Sequence, residues 1–349
     1  MVYDLEVHDL RVFRSVAIKW DPRANFIAGP NASGKTSLLE TLVLLSMGRS
    51  FRNRRAQALI REGCEMGFAR ARLSGPGGAE RAVRCAGRHR ELLENGERVS
   101  AAAAALGLPL VVLAADGPAR LLQGQAHRRA MLRWLTFHVE PDFGANWGRY
   151  RRVFAQRNAS LMAQDGSTAS WDQPLADSSV PVRAALLAVA ALWSQALSRA
   201  ADPLGLALDL EYLPSFDGPL LAALRLGRRQ DEARHSSVIG PHRDGLTIRL
   251  QSRPLNTDLS GGQMKRVALA LLAAQILVLN EAGKAPLALV DDATAALDAQ
   301  GLKQLESLVR ACPGQWFLTA PDLAMGLDYG QRFHVEQGVV AAAGSPRGG

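Results

Sequence analysis

The sequence predicts an α/β protein, in which a phosphate-loop lobe of mixed sheets and helices is interrupted by a mostly helical second lobe. Three observations predict it. A glycine-rich turn at 29–36 lies between a short apolar strand and a helix, and a second apolar run, Leu287 to Val290, ends in two aspartates. Between them, from about Gly117 to Arg234, the apolar residues recur with a helical period.

The elements follow in order. Alternating Leu5, Val7 and Leu10, then Val16, Ile18 and Trp20, predict an opening pair of strands. Asn25 to Ala28 predicts a third strand leading into the glycine-rich turn, and Ser37 to Ser46 the helix after it. From Phe68 to Val99 the pattern is short, alternating and rich in turn residues (Gly75-Pro76-Gly77-Gly78, Glu94-Asn95-Gly96), which predicts antiparallel hairpins. Leu110 to Leu113 is a further core strand. Amphipathic stretches near His127 to His138, Trp147 to Met162, Val182 to Arg199 and Pro219 to Arg234 build the helical lobe. They contain no long heptad run, which excludes a coiled-coil arm. Strand and helix alternate again from about Ser237 to Val340, with Trp316 to Thr319 as a buried strand. The expected division is 1–115 and 237–340 for the phosphate-loop lobe, 116–236 for the helical insertion, and a disordered tail over 341–349.

Of the 349 residues, 41 are Lys or Arg and 33 are Asp or Glu, a formal net charge of +8 that favours a polyanionic partner such as nucleic acid. Only five are lysines, so the charge is almost wholly arginine, and position must say which arginines matter. Cys64, Cys85 and Cys312 show neither zinc-site nor disulfide spacing. The N-terminus carries no signal pattern, and the apolar runs Val267 to Leu279 and Ala184 to Leu197 fall short of a membrane span. The expectation is a soluble cytoplasmic protein with no membrane partner.

Gly29-Pro30-Asn31-Ala32-Ser33-Gly34-Lys35-Thr36 fits GxxxxGK[ST] in the strand–turn–helix context the motif requires, with Ser37 next in the helix. Glycines let main-chain N–H groups wrap a β-phosphate, and the helix N-terminus favours negative charge. Lys35 reaches the β- and γ-phosphates, and the Thr36 hydroxyl is the candidate ligand for Mg2+. Asp291 and Asp292 end the strand 287–290, where parallel sheets form sites. Asp291 is the candidate carboxylate on the magnesium side. Asp292 is the candidate to orient or deprotonate the attacking water, making it and Lys35 the expected catalytic pair.

Leu259-Ser260-Gly261-Gly262-Gln263 precedes a strongly apolar helix, so a serine hydroxyl and open amides sit at a helix N-terminus. A plain helix cap uses the same residues. The stretch resembles the signature of the ABC ATPases, and Ala295-Ala296-Leu297-Asp298 is placed like that family's D-loop. The resemblance implies an ABC-type ATPase lobe whose cofactors are ATP and Mg2+. It also implies that the signature and Asp298 of one protomer complete the ATP site of another.

Spacing distinguishes the branches. More than two hundred residues separate Thr36 from Leu259, against on the order of a hundred in transporter subunits, and Ala320-Pro321-Asp322 stands where those subunits place a switch histidine. Five stretches, collinear over nearly the whole chain, instead resemble the RecF family of bacterial repair proteins. They are Gly48-Arg49-Ser50-Phe51-Arg52, Arg128-Arg129, Phe137-His138-Val139-Glu140-Pro141, Gln156-Arg157-Asn158 and Gly240-Pro241-His242-Arg243-Asp244. This resemblance implies slow ATP hydrolysis, an ATP-dependent homodimer clamping double-stranded DNA beside single-stranded gaps, work with the RecO and RecR mediators, and loading of RecA. The implied DNA-contacting residues are Arg52, Arg54, Arg55, Arg128 and Arg129. Three positions depart from the family pattern: Arg133, where an aspartate is usual; the glycine middle of the signature; and Ala114-Ala115-Asp116, where a glutamine loop would begin. A diverged relative in another genome-maintenance or defence role fits the same residues.

Overall fold

Buried Leu5 and Val7 stand two residues apart along β1 (Val2–Leu10), the period of a strand with one face in a core, with Val2 and Leu10 buried three residues to either side. A computed structural model describes residues 1–51, 56–74, 78–122, 124–164, 166–255, 259–325, 327 and 329–343. The chain forms two units, one of residues 1–118, 200–205 and 259–349, the other of 119–199 and 206–258.

In the first unit β1 pairs antiparallel with β2 (Phe13–Lys19) on one side and with the hairpin strands on the other. β3 (Ala24–Ala28) runs into α1 (Lys35–Met47), and the hairpins are β4 (Met66–Leu73), β5 (Glu80–Ala86), β6 (His89–Glu94) and β7 (Glu97–Arg98). Together they make the sheet β2-β1-β4-β5-β6-β7. After α2 (Ala101–Gly107) comes β8 (Leu110–Leu113), and after the short α3 (Gly117–Leu122) the chain enters the second unit.

There α4 (Gln125–Val139), α5 (Phe143–Ala163) and the long α6 (Thr168–Ala201) lead to β9 (Leu208–Leu213), α7 (Leu220–Leu226), α8 (Arg228–Arg234), β10 (Gly245–Leu250) and β11 (Arg253–Pro254). The predicted boundary at 237 is corrected here. β10, assigned by sequence to the phosphate-loop lobe, pairs residue for residue with β9 from Gly245↔Leu213 to Leu250↔Leu208, so its main-chain groups are satisfied inside the second unit. α6 also begins fourteen residues before the predicted helix at Val182 and runs through Pro174 and Pro181, which the rule that proline stops a helix would have barred.

Back in the first unit, α9 (Gly261–Glu281), β12 (Leu287–Val290), α10 (Ala299–Ala311), β13 (Gln315–Ala320), β14 (Gln331–Glu336) and β15 (Val339–Ala343) complete the sheet β15-β14-β3-β13-β12-β8. The five strands from β14 to β8 run parallel, so β3 and β12 end on one edge, separated by β13. The first three residues of the predicted tail, Ala341 to Ala343, pair with β14 instead of being loose. Leu38, Leu42 and Leu45 of α1 share one core with β1 and with Leu287, Leu289 and Phe317, which fixes the helix behind its loop. Among the described residues two helices, longer than the apolar runs read from the sequence, could cross a membrane by length and composition: Thr168–Leu204 and Gly261–Glu281. The second is a core helix, with 72% of its most apolar window buried.

Candidate nucleotide site

The loop from Gly29 to Gly34 is shaped by positive-φ backbone at Gly29 (155°), Ala32 (64°) and Gly34 (121°). A Cβ at Gly29 would lie 2.0 Å from the Val335 carbonyl oxygen, and one at Gly34 would lie 2.8 Å from the Phe13 ring, so only glycine fits either place. The Gly338 N–H donates to the Ser33 carbonyl at 3.1 Å, tying the turn after β14 to the loop. Pro30, Asn31 and Ala32 are exposed at its rim, and the Ser33 hydroxyl is buried with no hydrogen-bond partner among the described residues. Lys35, Thr36 and Ser37 form the first turn of α1, whose N–H groups have no helical acceptor. The Lys35 ammonium donates to the Gly29 and Pro30 carbonyls at 2.6 and 2.8 Å. Burial draws its pKa below the usual lysine range, and Asp291 and Asp292 oppose that shift.

Asp291 and Asp292 follow β12 directly. The Thr36 hydroxyl donates to the Asp291 carboxylate, with distances of 3.0 and 3.1 Å to its oxygens, and the Thr319 hydroxyl at the end of β13 reaches the same group at 2.8 Å. Thr319 in turn accepts from the Asp292 N–H at 2.8 Å, and the Ala293 N–H donates to the Thr319 carbonyl at 2.7 Å. Asp292 therefore sits in a tight turn with φ of 54°, its side chain half-buried. Lys265 of α9 reaches it from within. Its buried ammonium donates to the carbonyls of Asp292 at 2.9 Å and Asp291 at 3.4 Å.

Ser260 is the N-cap of α9, and it makes a reciprocal box with Gln263: the Ser260 hydroxyl accepts from the Gln263 N–H at 3.2 Å, and the Gln263 side chain accepts from the Ser260 N–H at 3.0 Å. The helix-cap role is thus real, and Ser260 and Gly261 remain exposed at the helix end. A Cβ on Gly262 would stand 2.8 Å from the Ala296 carbonyl, so the signature turn packs closely on the segment leading to Asp298. Asp298 caps α10, accepting from the Gly301 N–H at 2.7 Å.

The family model described as the RecF/RecN/SMC N terminal domain matches residues 1–325. A protein of Thioalkalivibrio sulfidiphilus (strain HL-EbGR7) named DNA replication and repair protein RecF is 35% identical over an alignment covering 96% of this chain and 98% of the relative. The chain belongs to the RecF family. A Coxiella burnetii (strain CbuK_Q154) relative of the same name is 34% identical, covering 97% of this chain and 98% of its own length. Among solved structures, the recombination mediator protein RecF-ATPrS in the RecFOR pathway shares the fold with a TM-score of 0.83 at 21% identity, over 99% of this chain and 98% of that one. A Smc head domain bound to the C-terminal domain of ScpA, derived from Pyrococcus furiosus, follows with a TM-score of 0.61 at 14% identity, over 98% and 95%.

Of the arginines that the RecF resemblance singled out, Arg52, Arg54 and Arg55 lie outside the described residues. Arg128 and Arg129 stand half-buried on α4. The Arg128 Nε is buried without a hydrogen-bond partner among the described residues, and Arg129 Nη1 lies 3.5 Å from the Arg243 carbonyl. Sequence reasoning missed Thr319, Lys265 and the Arg11–Glu40 pair. Arg11 forks onto the fully buried Glu40 of α1 at 2.7 and 2.8 Å and donates to the Ala58 carbonyl at 2.6 Å, and Ser50 donates to Glu40 as well, so Glu40 ties α1 to Arg11 and to Ser50. The signal for Glu40 was available: a carboxylate on the apolar face of the helix after the loop needs a cation.

Proposed function

We propose that this RecF-family chain is an ATP-binding DNA replication and repair protein that closes as a dimer on duplex DNA when ATP is bound and opens after slow hydrolysis. One observation carries the nucleotide part: the Thr36 hydroxyl and the Asp291 carboxylate, from elements 255 positions apart, meet at 3.0 Å beside Lys35 at the open end of α1. Hydroxyl and carboxylate oxygens suit Mg2+, which takes few protein ligands and completes its shell with water and phosphate oxygens.

Lys35 would exchange its two loop carbonyls for phosphate oxygens, and the N–H groups of the loop and of the first turn of α1 would supply the remaining donors. The Mg2+ ion would neutralise charge on the β- and γ-phosphates. Asp292 holds a water in line, its main chain pinned by Thr319 and Lys265. Ser260, Gly261, Gly262, Gln263 and Asp298 face the nucleotide of a second copy, which is why the cap of α9 stays exposed.

The relatives carry the name DNA replication and repair protein, and the RecF-ATPrS structure is of a recombination mediator in the RecFOR pathway. These names support a finer reading, which is ours: double-stranded DNA beside a single-stranded gap as cargo, RecO and RecR as mediators, RecA loading as the outcome, and the cytoplasm as the place. Sizing by light scattering tests the sandwich. ATP with Mg2+ should produce a dimer in the wild type and none in Ser260→Arg, with monomer ATP affinity retained; a variant that dimerises as well as the wild type contradicts it.

A further inference from the structure

The second unit contains a group of like charges with nothing to balance it. Arg129 and Arg133 are four residues apart on α4, and Trp147 and Arg151 four apart on α5, so each pair shares one helix face. The Arg133 guanidinium lies over the Trp147 ring, 5.5 Å from its centroid, and Arg129 reaches the main chain of Arg243. Like charges at this spacing oppose folding unless something relieves them.

The Trp147 ring does so in part, and no carboxylate among the described residues does. Arg133, Arg151 and Arg243 make no ion pair or side-chain hydrogen bond there, whereas Arg157, six residues further along α5 from Arg151, is paired with both Asp172 and Asp231. Asp244, the acidic group adjoining this end, is committed to Tyr212 and to the Ser215 N–H at 2.7 Å. Burial, then Arg129 and Arg151, hold the Arg133 pKa below the usual range, and no acidic neighbour opposes them. His242, bonded through Nδ1 to the Tyr150 hydroxyl at 2.6 Å, feels Arg243, Arg129 and Arg133, opposed by the Ser237 main chain, and its Nε2 is buried with no side-chain partner among the described residues. Arg151 and Arg243 are exposed, so the group opens to solvent.

We propose that Arg129, Arg133, Arg151 and Arg243 form a phosphate-binding site that takes the backbone of duplex DNA. The inference rests on the DNA reading above and adds a location and residues to it. Guanidiniums bind phosphate through paired donors, and two helices plus a loop distribute them along a surface, which suits successive phosphates better than a single compact anion. Arg133 is central: its half-buried guanidinium lies over Trp147, and the charges of Arg129 and Arg151 both act on it. Desolvated by its neighbours, Arg133 gains more from a phosphate than a fully hydrated arginine would.

The test uses the full-length chain and a labelled mixed-sequence duplex titrated over a range of salt. Arg133→Gln and Arg151→Gln should each flatten the slope of log K against log salt by about 1 and weaken binding uniformly across sequences. Arg234→Gln, an exposed arginine elsewhere in the same unit, should leave the slope unchanged. Removing one of several repelling charges should not lower the low-salt melting temperature of Arg133→Gln. Inorganic phosphate at the same ionic strength should raise the wild-type melting temperature more than that of the Arg133→Gln, Arg151→Gln double variant. Wild-type duplex binding with identical slopes in all variants overturns the site and leaves the DNA reading standing. A wild type that takes inorganic phosphate but not duplex overturns the DNA reading and this inference together, as would capture of an acidic peptide in place of duplex. A melting temperature that falls with affinity makes Arg133 a packing residue and also overturns the proposal.

Discussion

The Lys265 ammonium, buried one turn inside α9, donates to the main-chain carbonyl of Asp292 at 2.9 Å. A lysine on the helix that begins at the signature thus holds the turn that carries the water-positioning aspartate. Burial lowers the Lys265 pKa, and the charges of Asp292, then Asp291, oppose that shift. Lys265→Met should take the ammonium away from the Asp291 carbonyl and leave the Asp292 carbonyl to the Ala295 N–H at 3.2 Å, costing about 1–3 kcal/mol of stability. Turnover should fall more than ATP affinity does. Denaturant melts with single-turnover hydrolysis check this; a full-speed variant would remove Lys265 from the account.

Lys35→Met should weaken ATP binding by roughly 10- to 100-fold, the loss of one charge-assisted contact worth about 1.5–3 kcal/mol. The fold should persist, because Lys35 contributes only two bonds, to the loop carbonyls of Gly29 and Pro30. Calorimetric titration measures the affinity, and an unchanged value would refute the phosphate role of the loop.

Asp292→Asn should bind ATP normally and hydrolyse it about 10²–10⁴-fold more slowly, since the amide keeps the shape and loses the basicity. The main-chain bonds of residue 292 to Thr319 and Lys265 do not involve the substituted group. Steady-state phosphate release is the readout, and wild-type turnover would move the water-positioning role elsewhere.

Burial, then the charges of Arg243, Arg129 and Arg133, push the His242 pKa from 6.5 down to about 4. The unfolded chain therefore binds a proton that the folded chain refuses between those two values, so His242 contributes stability above pH 6.5 that is lost as pH falls towards 4. Melting temperature should drop across this window in the wild type and drop less in His242→Gln. Equal profiles would show that another group sets the acid limb.

The nucleotide site was readable because its parts are local. Gly29 to Thr36 carries its own turn chemistry, and Leu287 to Val290 is apolar throughout because both faces of β12 are covered. The residues that hold the site in shape were not readable. Thr319 and Lys265 reach Asp291 and Asp292 from 28 and 27 positions away, and Glu40 meets Arg11 from 29, pairings that exist only once the sheet has formed. β9 escaped a helical reading of 116–236 because it is six residues long, and its partner β10, assigned by sequence to the other lobe, lies beyond two helices. The long α6 shows the opposite error, where local rules about Pro174 and Pro181 lost to tertiary packing of Leu175, Val182, Leu186 and Trp193.

The central claim is that ATP switches the protein's hold on DNA. Closing two copies brings more basic surface to one duplex, so affinity should rise and the salt slope should steepen by about 0.9 for each additional phosphate neutralised. The direct measurement is duplex affinity against salt concentration with ATP and Mg2+, with ADP and without nucleotide, with dimerisation followed in the same samples. The account predicts tighter binding and a steeper slope with ATP, with slight sequence preference because phosphate contacts do not read bases. Identical affinity and slope in all three states, while ATP still forms the dimer, would contradict it.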